Sequence, residues 1–147
     1  MSELAKAAKV AFASTFSFYL KAHNYHWNVE GPDFEQYHQL FGRIYEEVYG
    51  SVDKFAEHIR AMDSYMPGSY TRFSMLTMIE DETNLLNAEM MVTQLLEDNE
   101  KMIKILKMVY GESEAASEFG FSNFIAERLD AHRKHGWQLK STLKGSL

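Results

Sequence analysis

The stretch HNYHWNVEGPDFEQYHQLFGRIYEEVYGSVDKFAEHIR, running from His23 to Arg60, decides the fold. It contains the end of one helix, a stop, and the start of a longer helix. Glu30-Gly31-Pro32 supplies the stop. Asp33 follows as an N-cap candidate, with Gln36 three residues on in a variant of the capping box. Phe34, His38, Phe41, Tyr45, Val48, Val52, Phe55, Ile59 and Met62 then alternate in steps of four and three. That is the rhythm of one face of an α-helix. It lasts roughly 30 residues, which predicts about 45 Å of continuous helix.

The same rhythm extends outward on both sides. Upstream, Phe12, Phe16, Tyr19, Leu20, His23 and Trp27 mark one face of a helix from about Leu4 to Val29. Downstream, Asp63 to Thr83 breaks the pattern, with a turn signal at Met66-Pro67-Gly68-Ser69 and a short helix expected over Tyr70 to Met78. A third long pattern runs from Asn84 to Tyr110, with Gly111 as its stop, and Glu112 to Gly120 reads as a polar link. The fourth spans Ser122 to Leu143, with Phe121, Ile125, Leu129, His132, Gly136, Leu139 and Leu143 on its inner face. No segment alternates with period two, so no sheet is expected. Short links make antiparallel neighbours, and the long middle link can travel the length of a bundle. The predicted fold is all-α: a ferritin-like four-helix bundle with a long crossover between helices two and three that carries a short extra helix. Residues 1–147 read as a single domain.

Composition narrows the chemistry. The 147 residues are 46% hydrophobic and 24% charged, as in an ordinary globular domain. There is no cysteine, so disulfides and thiolate metal sites are excluded and any metal must be held by His, Asp or Glu. A cytoplasmic setting agrees with that composition. Val10 to Leu20 loosely imitates a signal peptide, but it is too short to span a membrane and is interrupted by Ser14, Thr15 and Ser17; it reads as a buried helix. A net charge of −6 attracts cations and disfavours nucleic acid.

His26 and His38 flank the tight turn between helices one and two, where an antiparallel hairpin brings their imidazoles together. Imidazole suits iron, zinc, copper and nickel. Asp53 and Glu57 stand four apart and share one helix face. Val52, Phe55 and Ala56 suggest that this stretch is largely buried. His38 and Asp53 are fifteen positions apart, about 22 Å along a helix, so they cannot hold one ion within one chain. If helix two packs antiparallel on its own copy, crossing near Glu46, Asp53 and Glu57 of one chain arrive beside His26 and His38 of the other. A two-fold interface then builds two such sites. Two imidazoles and two carboxylates with open positions suit Fe²⁺.

The segment H-x-x-H-W-N-V-x-G-P-x-F-x-x-x-H, the later V-D-x-x-A-E and the step from His132 to Trp137 resemble the Dps family of mini-ferritins, over nearly the whole chain. The resemblance implies a hollow shell of twelve subunits. It implies a ferroxidase, an oxidoreductase that oxidises Fe²⁺ with H₂O₂ or O₂ between two-fold-related subunits, stores ferric iron inside and protects against oxidative stress. Carried onto this sequence, the ligands are His26 and His38 from one chain and Asp53 and Glu57 from its neighbour, with Trp27 beside the site. Zn²⁺ or another divalent ion is an alternative occupant. Acidic residues in the position of Glu112, Glu114 and Glu118 line iron-admitting three-fold pores in the family. DNA-binding members use Lys/Arg-rich tails; here Lys6 and Lys9 are offset by Glu3, and Lys140 and Lys144 stand near the end, so DNA binding is expected to be weak.

One position departs from the family pattern. Where an Asp usually follows the second histidine by one helical turn, this chain has Gly42, leaving four of five usual protein ligands. That favours an alternative reading as a shell with weakened or lost ferroxidase activity, or a packing role for the glycine. Other readings stand beside the ligand assignment. Asp53 and Glu57 could form helix ion pairs with Lys54 or Arg60. His23 is either a third ligand or a hydrogen-bonding group, and Trp27 either core or redox neighbour. Glu35 and His38 form an E-x-x-H step of the kind used by in-bundle di-metal enzymes, but no second such step exists. His132, Arg133 and His135 read as interface or surface groups.

Overall fold

The computed structural model describes residues 2–144. Helix α1 spans Glu3–Asn28, α2 Phe34–Gly50, α3 Val52–Ala61, α4 Tyr70–Leu76, α5 Ala88–Ala115 and α6 Phe119–Lys144. No strand occurs among the described residues. The four rods of the bundle are α1, the α2–α3 pair, α5 and α6, with α4 in the crossover against α1. This is the ferritin-like arrangement expected from the pattern. Among the described residues, no helix is long and apolar enough to cross a membrane.

Among the described residues, side-chain caps set three of the six helix starts. The side chains of Ser2, Ser69 and Asn87 accept from the backbone N–H groups of Ala5, Arg72 and Met90, satisfying donors that a helix start leaves free. Asp33 stands at the N-cap of α2 but makes no side-chain capping bond. The expected 30-residue second helix is two helices, α2 and α3, set along one rod. At Ser51, both the backbone N–H and Oγ turn to the carbonyl of Val48, at 3.1 and 2.6 Å. A serine that bonds back into its own helix beside a glycine interrupts the ladder. Gly111 does not end the third long helix, because α5 runs on to Ala115 and stops where Ser117 takes a left-handed φ of 58°.

The core is built from Leu4, Ala8, Phe12, Phe18, Ala22 and Tyr25 of α1, Phe41, Ile44, Val48, Phe55 and Ile59 of α2–α3, and apolar lines from α5 and α6. Phe55 sits at its centre, edge-on to Phe12 at 5.6 Å and to Phe124 at 5.4 Å. For α1 this corrects the expected face. Only Phe12 of the predicted line is fully buried; Phe16, Tyr19 and His23 are half-buried, while Leu20 and Trp27 are exposed. The helix carries two apolar stripes: Ala8, Phe18, Ala22 and Tyr25 lie in the core, while the predicted line runs from buried Phe12 to exposed Leu20 and Trp27.

Candidate metal centre

The turn at residues 29–33 folds α2 back on α1 and brings His26 and His38 together. Their rings stack with centroids 3.7 Å apart and planes 15° from parallel. Each ring reaches across to the other residue's backbone. His26 Nδ1 donates to the carbonyl of His38, and His38 Nδ1 donates to the carbonyl of His26, both at 2.7 Å. A carbonyl only accepts, so both Nδ1 atoms carry the hydrogen, which leaves Nε2 as the nitrogen each ring can offer to an ion. The His26 carbonyl lies in the last turn of α1, where helices leave carbonyls without a partner. A ring fixed through Nδ1 with Nε2 open is how metal-binding histidines are held. Phe34 stacks on the outer side of His38 at 4.9 Å.

Asp53 and Glu57 lie on α3 and are exposed, while Phe55 and Ile59 of the same helix turn inward. The expected burial of this stretch therefore holds for Phe55, holds in part for Val52 and Ala56, and fails for the two acids, which the 3–4 rhythm puts on the opposite side. Neither acid has an ion-pair partner among the described residues. Lys54 sits over the Phe124 ring, and Arg60 donates to the Ser64 carbonyl and covers the Tyr65 ring. Within the described residues of one chain, no three His, Asp or Glu side chains gather where they could hold an ion. The chain thus presents an imidazole pair at one place and an unpaired carboxylate pair at another.

Comparison with known proteins identifies this frame. The family model for the ferritin-like domain matches residues 6–145. A low temperature-induced protein of Nostoc is 30% identical over 135 residues, covering 90% of this chain and 75% of that protein. A DNA protection during starvation protein of Brevibacillus brevis is 26% identical over 126 residues, covering 86% and 85%. The crystal structure of Dps from Staphylococcus aureus superposes with a TM-score of 0.91 at 28% identity, over 96% of this chain and 95% of that one. The chain belongs to the ferritin-like family and is of the Dps type.

Around the imidazole pair, this Dps-type chain adds an aromatic surround. His23 stacks on Tyr45 at 3.7 Å, contacts Trp27 at 3.8 Å and shares a hydrogen bond of 3.0 Å between its Nδ1 and Tyr19 Oη. Burial first, then the neighbouring His26, lowers the His23 pKa. Its hydrogen bond agrees with the non-ligand reading. Trp27 is 58% exposed in the chain and is not a core residue.

Sequence reasoning missed a polar interior. Lys21 and Asp98 form an ion pair of 2.7 Å with both side chains buried, and Gln94 supports it at 3.3 Å. Tyr25 Oη donates to Glu82 at 2.6 Å. His132 and His135, expected at an interface or the surface, are buried; Arg133 is exposed. His132 pairs with Asn99 on α5, while His135 and Arg128 converge on Glu47 of α2. Burial pushes the Glu47 carboxyl up, but the hydrogen bonds from His135 and Arg128 outweigh it and hold the group well below the usual carboxylate range. A signal did exist: Lys21, Asp98 and Asn99 fall in phase with Phe18, Tyr25, Met91, Leu95 and Met102.

Proposed function

We propose that this chain is an iron-storing mini-ferritin that oxidises Fe²⁺ with H₂O₂ or O₂ at sites shared between two copies of itself. Residues 1–147 act as one ferritin-like domain, and twelve copies enclose the cavity that receives the ferric product. The observation that carries this reading is the separation of the donor set. His26 and His38 are locked with their Nε2 atoms free, and Asp53 and Glu57 are exposed and unpaired about 22 and 28 Å beyond His38 along the α2–α3 rod. A second copy running antiparallel joins the halves, and a two-fold axis makes the pairing mutual. The residues fit the ion: neutral imidazole nitrogens and carboxylates with positions left open suit Fe²⁺. Asp53 and Glu57 offset the charge of Fe²⁺, and His26 and His38 hold it with positions left open for oxidant. Each Fe²⁺ gives one electron; one H₂O₂ takes two electrons and two protons and leaves as two waters. Zn²⁺ is the competing occupant with the same donor preference.

The exposed stripe of Leu20, Trp27 and Tyr49 supplies the apolar surface for assembly. Glu112, Glu114 and Glu118, clustered where α5 gives way to α6, are candidates for a pore that admits iron. With a net charge of −6 the chain makes few phosphate contacts, so DNA binding is weak, and the setting is cytoplasmic. Gly42 favours a second reading, a ferritin-like shell whose ferroxidase activity is weakened or lost. The test is the rate of Fe²⁺ oxidation by H₂O₂ in the wild-type particle and in His38→Ala. A fall of about tenfold or more is expected on losing a ligand; equal rates remove the site assignment.

A further inference from the structure

A helix covers its own carbonyls. Side chains tilt toward the helix N-terminus, so residue i+4 lies over the carbonyl of residue i. A glycine at i+4 leaves that carbonyl open. Two such openings occur here, and in each a polar side chain from a neighbouring helix has entered. On α6, the His132 carbonyl accepts from Asn99 Nδ2 at 2.8 Å, and a Cβ on Gly136 would lie 3.0 Å from that nitrogen. On α2, the His38 carbonyl accepts from His26 Nδ1 at 2.7 Å, and a Cβ on Gly42 would lie 3.1 Å from Nδ1 and 3.2 Å from Cε1 of that ring. At every other described glycine, a Cβ would meet nothing within 4 Å.

We propose that Gly42 is a positioning residue of the metal site: by leaving the His38 carbonyl open, it lets the His26 ring dock on α2 with Nδ1 engaged and Nε2 presented to the ion. This rests on the reading of His26 and His38 as ligands. The glycine is then not a vacancy awaiting a fifth ligand. A Cβ at this position would crowd the His26 ring, which would have to give by a few tenths of an ångström, away from the carbonyl it now engages. The reciprocal bond needs no glycine, because the His26 carbonyl is already free at the end of α1. Where its relatives' pattern adds a carboxylate to the two imidazoles, this chain has an open carbonyl that holds one of them, and this leaves an ion site with two nitrogens and two carboxylates.

Calorimetric titration of the assembled particle with Zn²⁺, which undergoes no redox reaction, tests this. The wild type is compared with Gly42→Ala, Gly42→Asp and His26→Ala. Alanine adds only the Cβ and favours helix over glycine, so weaker binding in Gly42→Ala does not trace to a lost α2. Gly42→Ala is expected to weaken Zn²⁺ binding by about 10–100-fold, the range for losing a ligand's supporting hydrogen bond. Gly42→Asp is expected to stay below wild type despite its added carboxylate. A crystal structure of Gly42→Ala should show His26 Nδ1 withdrawn from the His38 carbonyl. Wild-type affinity in Gly42→Ala with a loss in His26→Ala overturns the role of Gly42 and leaves the site standing, and tighter binding by Gly42→Asp overturns it equally. Equal affinity in wild type and His26→Ala removes the site itself, and the role of Gly42 with it.

Discussion

His132 shows how one interior group can make the bundle sensitive to pH. Its Nδ1 bonds Asn99 Oδ1 at 2.8 Å, and its Nε2 is buried with no partner among the described residues. Burial first, then the neighbouring Arg128 and His135, pull its pKa well below 6.5. In the unfolded chain it titrates near 6.5. Between those two values the unfolded state binds more protons, so stability is lost as pH falls below about 6.5. The denaturant midpoint should be lower at pH 5.5 than at pH 7.5. The drop should be smaller in His132→Gln, which keeps a donor for Asn99 without the imidazole; an unchanged drop would exclude His132 as its source. In the sequence His132 stands in the apolar line of the last helix, a signal of its inward direction that its reading as an interface or surface group did not use. Its partner was not legible, because Asn99 lies 33 positions away.

Between elements, the Lys21–Asp98 pair ties α1 to α5 inside the bundle. Removing one member leaves the other charge buried and alone. Asp98→Ala should cost about 3–5 kcal/mol in denaturant unfolding, whereas the double change Lys21→Met with Asp98→Leu should be close to neutral. A surface-like loss below about 1 kcal/mol in the single variant would contradict the burial. At the start of α5, Asn87→Ala should cost about 1 kcal/mol, since its side chain caps Met90. The order of the helices was legible from spacing alone, but their number was not. The break at Ser51 is the reason: the 3–4 rhythm of Val48, Val52 and Phe55 runs through it without a slip, and only the bonds of Ser51 to Val48 reveal it.

At the scale of the assembly, a shared site makes a prediction that a single-chain site does not. His38→Ala and Asp53→Ala particles should each oxidise Fe²⁺ poorly. In mixed dimers, one site has lost both halves and the other is intact. With half the dimers mixed, co-assembled particles should regain about a quarter of the wild-type sites. No recovery in verified mixed particles would place all ligands within one chain. The aromatic stripe belongs to the same scale. Tyr49 is 55% exposed and Trp27 58%, which is large for aromatic groups beside a core. Tyr49→Glu should shift sedimentation toward 17.0 kDa and lower iron oxidation together.

By itself, the sequence determined the helices, their hairpin connections and the residue types able to hold an ion. It also determined that one rod cannot bring those residues together, since rise per residue is a local property of any helix. Only the tertiary structure decided which apolar stripe of α1 faces inward, which polar groups become buried partners, and what fills the space over Gly42. Periodicity states the direction of a side chain around its own axis. What lies in that direction depends on a neighbour distant in the chain.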